Sequence, residues 1–301
     1  MQKSINKTIL VTGGAGFIGS NLVKAIINRN LAKKIIVLDN YTSGSRKNHI
    51  KNKKVEYIKG DTKNIFKIKK IIKSKFDLIF HLAEFSRIVQ SFQYFENCWE
   101  SNMEGTKKVI ELALKKKAKF VYSASSSKFG DSKNEFLSPY AWTKSKNVEL
   151  IKCYREWYGL EYVIAYFYNV YGPNQIKDHH MSAVIGIFET QYINDTPLTV
   201  VSPGNQKRDF THVYDIVEGF IKAGFYKKNQ EYQLASGKLY TILQVAKMFK
   251  SKIRMIPVRP GERFSSKRDS LKKSRKELNF KSKYNLKDYI ENFVSKNKKK
   301  N

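Results

Sequence analysis

Cysteine is scarce in this chain. Cys98 and Cys153 are the only two in 301 residues, far apart and without the close spacing of a metal site. A chain of this length buries most of its surface on folding, so it needs no disulfide staple. A reducing compartment is its natural setting, and no metal is expected. Long apolar runs are also missing. None approaches the roughly 20 residues that cross a bilayer, so no membrane association is expected. Met1 to Lys7 is polar, and Thr8 to Thr12 is too short for the apolar core of a signal peptide. A cytoplasmic protein is the expectation. Acidic residues are few: 26 against 57 basic ones, a net charge of +31. Such an excess invites a nucleic-acid reading. The lysines, however, are spread over nearly every segment, as at Lys67-Ile68-Lys69-Lys70 and Lys115-Lys116-Lys117, with no aromatic-interleaved stripe. They read as solvated surface charge with no specific nucleic-acid partner, and their field can assist capture of an anionic substrate.

What is present fits a globular core and argues against disorder: 41% hydrophobic and 13% aromatic residues. Short apolar runs recur at Lys7 to Val11, Lys34 to Leu38, Val55 to Ile58, Asp77 to Leu82, Phe120 to Ser123 and Tyr162 to Phe167. Runs of that kind are buried parallel strands. Helical patterns fill the gaps at about Ser20 to Asn28, Ile65 to Lys73, Asn97 to Lys116 and Pro139 to Trp157. The alternation predicts an α/β fold with a doubly wound parallel sheet. After Asn169 the rhythm changes, with turns at Tyr171-Gly172-Pro173-Asn174 and Ser202-Pro203-Gly204-Asn205. We expect residues 1–170 to form the nucleotide-binding domain and 171–301 mainly a smaller α/β substrate domain, some of whose segments return to the first. The lysine-rich tail from Lys296 to Asn301 is expected to fray.

The first strand runs into Gly13-Gly14-Ala15-Gly16-Phe17-Ile18-Gly19, which opens a helix. Glycines in that context allow a tight turn, close approach of backbone to a pyrophosphate and close helix packing. The free N–H groups at the helix start then face the phosphates. Asp39 ends the second strand, 20 residues after Gly19, where a carboxylate holds the adenosine ribose and repels a 2′-phosphate. A Rossmann domain that takes NAD rather than NADP is the expectation.

Tyr140-Ala141-Trp142-Thr143-Lys144 sets a tyrosine and a lysine four apart on one helix face. A free phenol has a pKa near ~10, and a nearby ammonium lowers it by stabilising the phenolate. Tyr140 can then take a hydroxyl proton as hydride leaves the same carbon for NAD. Upstream, Val121-Tyr122-Ser123-Ala124-Ser125-Ser126-Ser127 runs from a strand into a hydroxyl-rich turn. That turn lies at the carboxyl end of a parallel strand, where open α/β sheets bind ligands.

With these motifs the chain resembles the extended short-chain dehydrogenase/reductases, within the NAD-dependent epimerase/dehydratase family and nearest the UDP-glucose 4-epimerase type. Further matching elements are Leu38-Asp39-Asn40, Gly60-Asp61, His81-Leu82-Ala83, Asn102 with Gly105-Thr106, Asn169-Val170-Tyr171-Gly172-Pro173, Arg208-Asp209-Phe210-Thr211-His212-Val213 and Arg259-Pro260-Gly261-Glu262. The resemblance implies Tyr140 as acid/base, Lys144 as its partner and ribose ligand, and Ser125 as a hydrogen-bond partner of the reacting sugar hydroxyl. It implies cofactor contacts from Gly13, Gly16, Phe17, Ile18, Gly19, Asp39, Asn40, Asp61, Ala83, Asn102, Tyr140 and Lys144. It implies substrate contacts from Ser125, Ser126, Asn169, Arg208 and Arg259. Arginine suits a diphosphate through its charge and planar donor fork. Structural salt bridges are the alternative role for Arg208 and Arg259.

Sugar 4,6-dehydratases of this family carry an acidic pair where this chain has Ser125-Ser126-Ser127. The resemblance therefore favours epimerisation at C4 of a UDP-sugar, with NAD regenerated at each turnover, in surface-polysaccharide synthesis. It also implies a homodimer through the helices at Asn97 to Lys116 and Pro139 to Trp157. Four features depart from the family pattern: the loop His81-Leu82-Ala83-Glu84-Phe85-Ser86-Arg87, Lys128-Phe129, the short stretch Gly130 to Ser138, and Tyr166. Competing readings are a related dehydratase, reductase or epimerase at another carbon, and a non-catalytic NAD-binding or nucleic-acid-binding scaffold on the same fold.

Overall fold

The computed structural model describes residues 6–129, 134–177, 181–264 and 271–297. The end of the lysine-rich tail and residues 130–133 of the shortened stretch lie outside them. Six strands form where the apolar runs stand: β1 Thr8–Thr12, β2 Lys34–Asp39, β3 Val55–Lys59, β4 Leu78–His81, β5 Lys119–Ser125 and β6 Tyr162–Phe167. A seventh, β7 Gln230–Leu234, joins them from late in the chain. All pair in parallel, in the order β7-β6-β5-β4-β1-β2-β3. Strand order reverses between β1 and β4, whose registers align Thr12 with His81. The loops leaving these two strands turn to opposite faces, opening a crevice at their carboxyl ends.

Alternate side chains serve opposite faces of the sheet. Ile9, Val11 and Val37 share a cluster with Leu22, Val23 and Ile26 of α1 (Phe17–Asn28), and Phe80 and Val121 extend it across the same face. Leu10, Ile36, Ile79, Phe120 and Tyr122 pack under α2 (Thr106–Lys116) and α3 (Pro139–Tyr158), through Val109, Ile110, Val148 and Ile151. The first face is completed by α4 (Val213–Tyr226), whose Ile216 and Phe220 belong to the same cluster. A third cluster gathers Tyr171, Ile185, Phe188, Leu198, Val200, Phe210, Phe249, Leu286 and Ile290 around the later segments.

Three helical expectations change. The helix expected from Ser20 begins at Phe17, because Gly16 already serves as its N-cap. The run Ile65 to Lys73 breaks into a 3₁₀ segment, Thr62–Lys67, and a short helix, Lys69–Lys73, with Ile68 extended between them. The helix expected from Asn97 to Lys116 is a short helix Phe95–Trp99, a π-helical turn Glu100–Gly105, and α2. At that turn the Gly105 backbone lies against Thr62: a Cβ there would stand 2.3 Å from its Oγ1. No helix among the described residues is long and apolar enough to cross a membrane.

Candidate active site

The glycine turn is shaped by contacts that leave no room for side chains. Gly13 donates its N–H to the Leu38 carbonyl at 2.8 Å and adopts φ +73°. A Cβ on Gly13 would lie 2.7 Å from the Leu82 carbonyl carbon, and one on Gly19 would lie 2.1 Å from the Gly13 carbonyl oxygen. Only glycine lets the turn approach both β4 and its own helix. The first-turn N–H groups of α1, at Phe17, Ile18 and Gly19, have no carbonyl within the helix to bond and lie on a cleft of about 690 Å³.

Asp39 ends β2 on the same cleft and is buried. It accepts the N–H of Ala15 at 2.9 Å and of Tyr41 at 2.8 Å. Burial pushes its carboxyl pKa up, against those two hydrogen bonds. Asn40 donates to Asp61 at 3.0 Å, and both line the cleft together with Ala83. The donors, the glycine cradle and the carboxylate fit a dinucleotide. Asn102 does not belong with them. It is fully buried behind the cleft wall, where its amide bonds both the N–H and the carbonyl of Phe85 and the Thr143 hydroxyl. Its polar atoms are spent holding the loop after β4, so its contribution to cofactor binding is indirect.

The helix α3 starts cleanly at the cleft. Ser138 caps it by accepting the Ala141 N–H at 3.1 Å, and Pro139 fills the first helical position. Tyr140 and Lys144 both line the cleft, as do Ser125, the last residue of β5, and Ser126. The Ser125 hydroxyl also accepts the Ser127 N–H at 3.1 Å.

Lys144 is held in a way its spacing did not announce. Its ammonium donates to the Ser123 carbonyl and ion-pairs with Glu84, and stands 4.5 Å from the Tyr122 ring centre. The Lys144 and Glu84 side chains are only 7% and 3% exposed. Glu84 also accepts from the Tyr122 hydroxyl at 2.8 Å, the Asn147 amide at 3.1 Å and the Thr106 hydroxyl at 3.2 Å. Burial raises the Tyr122 phenol pKa well above its ordinary value. Behind Thr106 stands His81, with Nε2 2.9 Å from Thr106 Oγ1 and Nδ1 2.7 Å from Thr12 Oγ1. If Thr106 spends its proton on Glu84, His81 is neutral with its proton on Nε2 and accepts from Thr12. Burial pushes the His81 pKa down to about 4, which agrees. A polar chain thus runs from the last residue of β1 to the lysine of α3.

At the far end Arg208, Arg259 and Asn169 line the cleft. Arg208 and Arg259 meet the two oxygens of Glu262 at 3.2 and 3.4 Å. Burial, together with the neighbouring Arg263 charge, lowers the Arg208 pKa to about 10. Asn169 donates to the Asp209 carbonyl at 3.1 Å. Two further arginines, Arg87 and Arg263, also line the cleft. Sequence reasoning missed both. Arg87 stood in the loop already marked as departing from the family pattern, whereas Arg263 follows Arg259-Pro260-Gly261-Glu262 and carried no signal of its own.

These elements define a dinucleotide-binding cleft of the Rossmann type, with Tyr140, Lys144 and a hydroxyl-rich turn on its wall. The sequence profile of the NAD dependent epimerase/dehydratase family matches residues 9–235, and the chain belongs to that family. It is 31% identical over 256 residues to a putative UDP-glucose 4-epimerase of Methanocaldococcus jannaschii, covering 81% of this chain and 82% of the relative. It is 28% identical over 309 residues to UDP-glucuronic acid decarboxylase 1 of Arabidopsis thaliana, covering 95% of this chain and 69% of that one. The crystal structure of a UDP-glucuronic acid 4-epimerase from Bacillus cereus, in complex with UDP-glucuronic acid and NAD, superposes with a TM-score of 0.86 at 25% identity. It covers 96% of this chain and 99% of that one. The protein is therefore an NAD-dependent enzyme of nucleotide sugars, in a family whose members epimerise, dehydrate and decarboxylate.

Proposed function

We propose that the protein is a nucleotide-sugar 4-epimerase acting on a UDP-sugar. The observation that carries this reading is the hydroxyl-rich turn whose serines line the same cleft as Tyr140. The turn from Ser125 to Phe129 holds three hydroxyls and a lysine but no carboxylate, so it has no base to draw a proton from C5 and drive elimination. The carboxylate that does approach, Glu84, is engaged by four donors, Lys144, Tyr122, Asn147 and Thr106, and is committed to anchoring the lysine.

In this reading the Tyr140 phenolate takes the proton from the sugar O4–H, and Ser125 hydrogen-bonds the same oxygen. Bound NAD supplies the acceptor, and later the donor, of the C4 hydride. Once the 4-keto sugar has turned over, Tyr140 returns its proton to O4 on the opposite configuration. Lys144 has three N–H donors. Two are spent on Glu84 and the Ser123 carbonyl, leaving one for the nicotinamide ribose or the Tyr140 oxygen. Arg208, Arg259 and Asn169 would take the diphosphate and nucleoside, and residues 171–301 would mainly form the substrate side. We expect a homodimer through the helices at Phe95–Trp99 and α3, where Phe95, Trp157 and Tyr158 are exposed.

Purified protein should interconvert 4-epimeric UDP-sugars without added NAD(H), and Tyr140→Phe should abolish it. A product that differs from its substrate in mass, or turnover that consumes external NAD(H), would overturn the reading.

A further inference from the structure

The arginines on the cleft fall into two groups. Arg208 and Arg259 share Glu262. Arg87 and Arg263 have no ion-pair partner among the described residues. Arg263 is 7% exposed, donates from Nη1 to the Ser126 carbonyl at 2.9 Å and the Phe129 carbonyl at 3.4 Å, and its buried Nε bonds nothing. Arg87 donates from Nε to the Met181 carbonyl and from Nη1 to Ser86, through the carbonyl at 2.7 Å and the hydroxyl at 3.0 Å. Their hydrogen-bond partners are neutral, so neither guanidinium on the cleft is ion-paired with a carboxylate among the described residues.

Their place is the sugar end. Arg263 bonds the residue next to Ser125, and Arg87 leaves the same β4 loop that supplies Glu84. Burial lowers the Arg87 pKa to about 10 and lowers that of Arg263, while the nearby Tyr140 opposes both shifts. Both cations therefore lie within electrostatic range of the phenol that would work at C4. Glu262 also attracts Arg263, but its two oxygens are already engaged by Arg208 and Arg259.

We propose that the sugar taken by this site carries a carboxylate at C6, held by Arg87 and Arg263, so that the substrate is a nucleotide-linked hexuronic acid. This rests on the 4-epimerase reading for the placement of C4 at Tyr140. A hydroxymethyl group would offer these guanidinium groups hydrogen bonds and leave their charge unmatched in a partly dry site, which is costly. A carboxylate gives charge-assisted, planar pairing. The pairing also bears on the outcome. Oxidation at C4 sets a ketone β to the C6 carboxylate, so breaking the C5–C6 bond would send its electron pair into the C4–C5 enolate and release carbon dioxide. Two guanidinium ions stabilise the carboxylate charge that this step would disperse, so they oppose decarboxylation and favour epimerisation.

The test measures binding of UDP-glucuronic acid, UDP-glucose and UDP to the NAD-loaded protein by calorimetry, with product analysis alongside. Wild type should bind UDP-glucuronic acid at least about 10-fold tighter than UDP-glucose, and Arg87→Met should remove about 100-fold of affinity for the acid alone, as for truncation of one partner of a buried charge pair. Arg263→Met should do the same, and Arg263→Lys, which keeps the charge, should restore part of the preference should the methionine variant fold poorly. Equal losses for all three ligands would place these arginines on the diphosphate and overturn the inference. An unchanged preference with a shifted pH profile on UDP-glucose would make them partners of Tyr140 and overturn it too. Epimerisation of UDP-glucose without preference for the acid would sink this inference and leave the 4-epimerase reading standing. Tight binding of the acid with loss of carbon dioxide would keep the carboxylate contact, but overturn both the 4-epimerase reading and the claim that the pairing opposes decarboxylation.

Discussion

The Glu84–Lys144 pair offers the sharpest physical test. Replacing Glu84 with alanine removes the counter-charge of an ammonium whose side chain is 7% exposed. It also strips the acceptor from the Tyr122 hydroxyl, the Asn147 amide and the Thr106 hydroxyl. Breaking a buried pair by deleting one partner costs about 3–5 kcal/mol. The orphaned donors add to that, but they share one site and will not sum independently. A domain of this size shifts its midpoint by roughly 2–4 °C per kcal/mol, so Glu84→Ala should lower Tm by about 6–20 °C. Glu84→Gln keeps an acceptor and the volume but loses the charge, and should fall between wild type and alanine. The assay is thermal unfolding followed by circular dichroism on protein saturated with NAD, with urea unfolding as a check. A Glu84→Ala loss below about 1 kcal/mol, the range of an exposed pair, would refute the claim that this carboxylate is the buried anchor of Lys144.

Two further outcomes concern the buried histidines and the glycine turn. His81 is buried neutral with a pKa of about 4, and His212 is likewise lowered to about 4 by burial. Each binds its proton more readily when unfolded, so each contributes stability that is complete above the ordinary histidine pKa near 6.5 and is lost as pH falls from there towards 4. By linkage each should withdraw about 2 kcal/mol between pH 6.5 and 5, and urea unfolding across that window should show the decline; a flat profile would contradict the buried neutral assignment. Gly19→Ala would set a methyl 2.1 Å from the Gly13 carbonyl oxygen. It should displace the turn and abolish NAD retention on gel filtration, whereas full retention would show that the turn can yield.

Much of this was legible in the residues. The β1, β2 and β4 to β6 strands were, because strands buried on both faces need continuous apolar runs, and the half-buried edge strand β3 kept enough of one to be seen. The NAD cradle was, because Gly13 and Gly19 meet backbone at distances that admit no other residue. The seventh strand was not. Gln-Glu-Tyr-Gln-Leu lies at the sheet edge beside β6 and keeps polar residues there, so it shows no apolar run. The split of the Asn97 to Lys116 helix was hidden: its π-helical turn falls where Gly105 lies close against Thr62, a contact between elements distant in the chain. Glu84 was visible only as an odd residue in a loop. Its meaning depends on Lys144, Tyr122, Thr106 and Asn147, which come from three different elements. Asn102 illustrates the converse: it fits the family pattern, yet its atoms face away from the cleft.

The late-joining strand also has a consequence for how the protein is made. Until β7 arrives, β6 is an open edge, and until α4 folds over it, the face carrying Phe80 and Val121 is bare. A ribosome delivers the whole NAD cradle long before either cover emerges. The nascent N-terminal portion is then a sticky intermediate that must be shielded or held in check until Leu234 clears the exit tunnel. A gene fragment ending after β6 would inherit that exposure permanently, and it would aggregate instead of yielding a free-standing cofactor module.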